Sequence, residues 1–223
     1  MKKAVILLIF MGGIHFSLFS LTDETWVYLG FEYGNLFDTY WKEQRVSTYM
    51  GSPGFDFGFY RFFNSKNNIG LFMHDWFAIP VKGFKEINNV STDINFDEFY
   101  FQVGMIVGPG FKYNLSEDFA FKYAVGLSFL LSFFDYKDYL PTYGDVLYST
   151  IRCDWGIGTD VGFRGNITKT FFLNFGSIFT IDFLRTIRMR TSFDKISIGI
   201  AKGFFMFSAR PYITVGFNII REY

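Results

Sequence analysis

The chain has 223 residues, 21 basic and 21 acidic side chains, and no formal net charge. Half of it is hydrophobic and 23% is aromatic, with 33 phenylalanines, more apolar surface than one soluble domain of this length hides. Neutrality without a basic stripe excludes a nucleic-acid partner, and a lone cysteine, Cys153, excludes an intramolecular disulfide.

Lys2 and Lys3 precede the apolar run Ala4 to Met11. That order predicts a secretory signal peptide over 1–20, cleaved near Ser20 or Leu21, with 21–223 as one mature domain. No cysteine follows the run, which argues against a lipoprotein. Cleavage leaves 19 basic against 21 acidic residues.

Eight strands follow. The first runs from about Thr25 to Phe37, with Val27, Leu29, Phe31 and Tyr33 on one face and Gly30, Glu32 and Gly34 on the other. The second, about Tyr49 to Phe63, opposes Phe55, Phe57 and Phe59 to Gly54, Asp56 and Gly58. The third, about Asn68 to Ile79, alternates less cleanly. The fourth spans about Asp97 to Tyr113. The fifth, about Phe119 to Phe134, sets eight apolar residues from Phe119 to Phe133 on one face. The sixth, seventh and eighth span about Leu147 to Arg164, Thr170 to Leu184 and Ser208 to Arg221. The last places Val215, Phe217, Ile219 and Tyr223 on its apolar face, with Thr214, Gly216 and Asn218 between them. A period of two with unlike faces marks a strand between two environments.

The turns at 64–67, 114–118 and 165–169 are short and rich in turn formers. Between them lie longer connections near 38–48, 80–96, 135–146 and 185–207. This alternation predicts an all-β, eight-stranded, antiparallel up-and-down transmembrane β-barrel. Its short turns would be periplasmic, its longer loops extracellular, and both termini periplasmic, in the outer membrane of a diderm bacterium. Segment 185–207 is open to two readings, a hairpin extension of the last loop or two further strands. A lipocalin-like soluble barrel would turn the apolar face inward. The glycine-rich opposite face, the continuity of the apolar one, and Trp26, Tyr28, Tyr100, Tyr113, Tyr148, Trp155 and Tyr223 near strand ends favour lipid outside.

The segment Gly108-Pro109-Gly110-Phe111-Lys112-Tyr113-Asn114-Leu115-Ser116 and the final strand from Tyr212 to Tyr223 resemble those of small eight-stranded outer-membrane proteins. The layout is most similar to the OmpW-like barrels and to small barrels of spirochaetes such as Treponema. The resemblance implies that the C-terminal strand is read by the barrel-assembly machinery, with Arg221 departing from the usual apolar residue. It also implies a narrow channel or carrier for small hydrophobic solutes.

The inward face carries Glu32, Asp56, Lys122, Arg152, Asp154, Asp160, Arg164 and Asp182. Charges at membrane depth face the lumen and find partners, and neighbouring strands should gather Lys122, Asp160 and Arg164 near the short-turn end. Such a cluster is either a gate or a plug of buried charge. Eight strands enclose little more than their own side chains, which excludes a wide pore. His74, followed by Asp75, is placed by strand position near the extracellular end. Adjacent residues on a strand face opposite sides, which argues against a His-Asp catalytic unit; no enzymatic activity or cofactor is expected, and a lipid-modifying enzyme centred on His74, with Ser91 or Ser149 as partner, is the third reading. No His/Cys set has metal-ligand spacing. The partners expected are outer-membrane lipid, the assembly machinery, a small hydrophobic solute, or a host surface molecule gripped by Tyr40, Trp41, Tyr136, Tyr139 and Tyr143.

Overall fold

The computed structural model describes residues 24–41, 45–63, 68–87, 90–94, 100–140, 144–191, 196–201 and 204–220. They form eleven strands: β1 (Glu24–Trp41), β2 (Arg45–Phe62), β3 (Ile69–Ala78), β4 (Lys82–Ile87), β5 (Val90–Asp93), β6 (Tyr100–Asn114), β7 (Phe119–Leu140), β8 (Gly144–Asn166), β9 (Phe171–Thr191), β10 (Ile196–Ala201) and β11 (Phe204–Ile220). Eight of them make the wall, in the order β1-β2-β3-β6-β7-β8-β9-β11. The wall closes where β11 pairs back on β1, from Glu24 opposite Ile220 to Tyr40 opposite Phe204. Every neighbouring pair is antiparallel. Closure satisfies the backbone groups that an open edge would strand in hydrocarbon.

The outward side chains form an apolar belt. Phe31, Phe55, Leu127, Ile157, Phe175, Val215, Phe217 and Ile219 are all substantially exposed. The residues alternating with them are buried: Tyr28, Asp56, Tyr60, Lys122, Asp160 and Tyr212. An exposed greasy outside around a buried polar inside is the reverse of a soluble barrel. Among the described residues no helix is long and apolar enough to cross a membrane; the strands cross instead.

The described short turns lie at 115–118 and 167–170, near their expected places; the turn expected at 64–67 lies outside the described residues. The opposite end differs from expectation. Connections read from sequence as loops near 38–48, 80–96 and 135–146 are largely strand. β1 and β2 pair up to Trp41 opposite Arg45, and β7 and β8 up to Leu140 opposite Gly144. β4 continues β3 along the same partner, since β2 pairs with β3 over Gly54–Phe62 and with β4 over Val46–Gly51. Across the break, Ile79 N donates to Pro53 O and Val81 N to Gly51 O. Segment 185–207 resolves as a hairpin: β10 pairs with the upper part of β9, Ala201 opposite Arg185, and takes no place in the wall. The barrel has eight strands, with tall hairpins at one end.

Three residues assigned to an interfacial aromatic belt lie elsewhere: Tyr100 packs against the buried core, its hydroxyl donating to Met50 Sδ at 3.4 Å. Trp26 and Tyr28 are buried in the lumen. Tyr113 and Trp155 are exposed on the outer face. Tyr223 lies outside the described residues, as do Tyr143 and the side chains of Tyr40, Trp41, Tyr136, Tyr139 and Tyr148.

Candidate functional site: layered charges in the lumen

β1 runs the length of the lumen and orders its contents. At the short-turn end Glu24 accepts from Trp26 Nε1 at 2.6 Å and from Lys112 Nζ. The Arg164 guanidinium lies 3.7 Å from Glu24 and stacks on Trp26 and Phe172, with ring centroids 4.0 and 4.4 Å away. Cation–π contact of this kind gains when water is excluded. Arg164 therefore belongs to this lowest layer and does not join Lys122 and Asp160 in the cluster expected from sequence. β7 and β8 set Arg164 opposite Ala120, but Asp160 opposite Ala124. That four-residue step separates the two layers.

Above it, Lys122 Nζ donates to Asp160 Oδ2 at 2.7 Å. The same carboxylate accepts from Tyr60 at 2.7 Å and Tyr212 at 2.5 Å. The ammonium also sits over the rings of Tyr28, Tyr60 and Tyr212, 4.8 to 5.2 Å from their centroids. Lys122 and Asp160 are both wholly buried. On the other side of Tyr28, His74 Nδ1 lies 3.0 Å from the phenolic oxygen and His74 Nε2 3.1 Å from Asp56. His74 thus lies inside the lumen, opposite Gly58 and Ile106, and not at the hairpin end. Asp75, next in sequence, takes an outward register opposite Phe57 and Met105, both of the apolar face.

The third layer joins Arg210 to Glu32 at 2.7 Å and to Gln102 at 3.2 Å, with Trp76 beneath the guanidinium. Glycine makes room for it: a Cβ at Gly34 would strike the Arg210 guanidinium, and one at Gly104 would lie inside the Trp76 indole. Nearby Asp182 accepts from Ser128 at 2.6 Å and Thr180 at 3.2 Å.

The topmost layer is a ring of four charges. Arg152 reaches Asp154 at 2.8 Å and Asp38 at 3.1 Å; Arg185 reaches Asp154 at 2.5 Å and Asp38 at 2.9 Å. Both guanidiniums also approach Met206 Sδ at 3.5 Å. Charge-assisted pairs in which each acid serves two arginines hold strands β1, β8 and β9 in fixed relation.

Sequence reasoning did not single out Arg210, Arg185, Asp38, Glu24 or Lys112 as lumen residues. Parity alone marks Arg210, which alternates in phase with Ser208, Tyr212 and Thr214. Counting all layers, seven carboxylates (Glu24, Glu32, Asp38, Asp56, Asp154, Asp160, Asp182) face six cations (Lys112, Lys122, Arg152, Arg164, Arg185, Arg210) and His74. So near a balance leaves no strong field favouring ions of one sign. Among the described residues no group of three or more His, Cys, Asp or Glu is placed to hold a metal ion.

The sequence matches no family model and no curated protein. Solved structures do match. The outer membrane protein OprG from Pseudomonas aeruginosa superposes with a TM-score of 0.56 at 10% identity, covering 90% of this chain and 97% of that one. Outer membrane protein AlkL, solved in DMPC lipid bilayers, gives 0.49 at 13% identity over 92% and 94%. Neisserial surface protein A gives 0.46 at 11% over 86% and 96%. The OprG likeness shows the fold, that of a small eight-stranded outer-membrane barrel.

Proposed function

We propose that this chain is an outer-membrane barrel with a closed, charge-plugged lumen, whose working surface is the crown of tall hairpins. In this reading residues 1–20 are an export signal, the short turns are periplasmic, and the apolar stripe of β11 through Val215, Phe217 and Ile219 guides assembly. The observation that carries it is the filling of the lumen. Four successive layers of paired charge and aromatic rings span its length, and each layer ties together strands from different parts of the wall. A carrier of hydrophobic solutes needs an apolar path. Here a solute would have to break Lys122–Asp160, Arg210–Glu32 and the Arg152/Arg185 ring in turn, each costing several kcal/mol when one partner is left buried alone. The barrel then acts as a rigid pedestal. β4, β5 and β10 present Phe84, Val90 and Ile198 to solvent, and the break before β4 adds Val81, as suits an adhesin-like or structural surface protein without enzymatic activity.

Liposome swelling with small sugars, together with uptake of a small aromatic hydrocarbon into proteoliposomes, tests this. The expected result is permeation no faster than in protein-free vesicles. Saturable uptake of the hydrocarbon by the folded, heat-modifiable protein would instead establish a carrier.

A further inference from the structure

One strand of the crown ends the sheet without a second neighbour. β10 pairs with β9 alone, from Ile196 opposite Arg190 to Ala201 opposite Arg185. The place on its far side belongs to the line of β1. That strand accompanies β11 as far as Tyr40 opposite Phe204, then turns into β2 at Trp41 opposite Arg45. β10 stands above this end, so among the described residues no strand pairs with its far edge. The amide and carbonyl groups along an unpaired edge are a template for one more strand.

The side chains of β10 do nothing to guard that edge. Natural edges are blunted by charge, by proline or by shortness. Ile196–Ala201 is six residues long and holds neither a charge nor a proline. Ile196, Ile198 and Ile200 alternate on one face and are 53, 76 and 65% exposed. β-Branched residues of this kind gain from a cross-strand partner. The opposite face carries Ser197 and Gly199, and a Cβ at Gly199 would meet nothing within 4 Å. The second open edge among the described residues is built differently. β5 pairs with β4 alone, but it is four residues long and ends in Asp93, and its hairpin partner carries Lys82, Lys85 and Glu86. Length and charge guard β5, whereas β10 is left available.

From this contrast we infer that β10 receives an extended segment of a partner protein, added edge to edge as a further strand. Main-chain hydrogen bonds supply the affinity, and the isoleucine row selects a segment with β-branched or aromatic residues at alternate positions. A second copy of this chain in the same membrane does not fit the edge. A two-fold axis along the membrane normal keeps the up-down sense of β10. With strands tilted about 35–45°, it would cross the two copies at about 70–90° instead of laying them side by side. A segment of another protein is free of that constraint. The inference names the partner class of the crown and rests on the crown being the working surface; closure of the lumen plays no part in it.

The test uses the full chain in phosphatidylcholine nanodiscs. The probe is a short fluorescein-labelled peptide in which isoleucine alternates with threonine between lysine ends, and its anisotropy is read against empty nanodiscs. The peptide should bind saturably. A twin N-methylated at every amide, with the same side chains but no ladder donors, should not bind. Ile198→Lys should weaken binding about tenfold by setting a charge in the isoleucine row, and Ser91→Lys on β5 should leave it unchanged. Heat-modifiable migration on a detergent gel confirms that each variant is folded. Absence of binding, equal binding of the N-methylated twin, or undiminished binding to the Ile198→Lys variant would overturn the site. So would a wild-type dimer in detergent that Ile198→Lys converts to monomer, which would give the edge to a second copy. A sealed barrel that binds no peptide overturns this site alone, and a barrel that binds peptide but also passes solute overturns the closed-lumen reading alone.

Discussion

Lys122 on β7 and Asp160 on β8 form an ion pair 2.7 Å long with neither side chain reaching water. Tyr60 and Tyr212 complete the carboxylate from strands β2 and β11, so one buried acid ties four wall strands together. A pair of this kind contributes little net stability, because desolvation offsets the attraction, but losing one partner is costly.

That asymmetry gives the first prediction. Lys122→Met should destabilise the folded barrel by roughly 3–5 kcal/mol, read as a shift of the urea midpoint in lipid vesicles. The double variant Lys122→Met with Asp160→Leu should recover most of the loss. A double variant as unstable as the sum of the single ones would mean that the two groups do not act as a pair.

The layers lie in series, so opening one should not open the lumen. Replacing Arg152 and Arg185 by alanine removes the topmost ring yet leaves Arg210–Glu32 and Lys122–Asp160 below it. Planar-bilayer recordings of this variant should stay at the baseline of bare lipid. Adding Arg210→Ala and Lys122→Ala, together with Lys112→Ala and Arg164→Ala in the lowest layer, should produce measurable conductance.

Gly104 gives a steric prediction. Its missing side chain leaves space that the Trp76 indole occupies. Gly104→Val should prevent formation of the heat-modifiable folded band, and Trp76→Ala in the same chain should restore it in part. Failure of Trp76→Ala to help would place the defect in the β3–β6 ladder itself.

The belt is tested by charge. Leu127, 68% exposed and midway along β7, should tolerate arginine poorly, at about 2–4 kcal/mol for a midplane position. Ile198→Arg on the hairpin should cost almost nothing, because that site is at the level of water and headgroups. Equal costs at the two sites would contradict a membrane boundary between them.

The wall was legible in the sequence where its two sides differ. Phe119 to Phe133 on β7 and Val215 to Ile219 on β11 alternate because lipid selects one face and a crowded lumen the other. Above the belt that contrast fades. The upper parts of β1, β2, β7 and β8 carry polar or aromatic residues on both faces, so periodicity no longer marks a strand although the hydrogen-bond ladder continues. His74 sits deeper than its position in the sequence suggests for a related reason: β4 prolongs β3 past Pro80 along the same partner strand, so the wall continues beyond a strand ending at Ile79. Pairings across the lumen depend on the stagger of the closed sheet. The local pattern shows that Arg210 faces inward. It does not show that Glu32, 178 positions away in the chain, is what it meets.

Closure of the lumen is most directly measured by the reactivity of a thiol placed inside it. In a Cys153→Ser background, Ser128→Cys puts that thiol beside Asp182, where the serine hydroxyl now donates at 2.6 Å, and Ser197→Cys puts one on the exposed β10 hairpin. A sealed lumen predicts rapid labelling of position 197 by a membrane-impermeant maleimide, and none at position 128 until the barrel is unfolded. Labelling of position 128 in the folded protein at a rate near that of position 197 would contradict it.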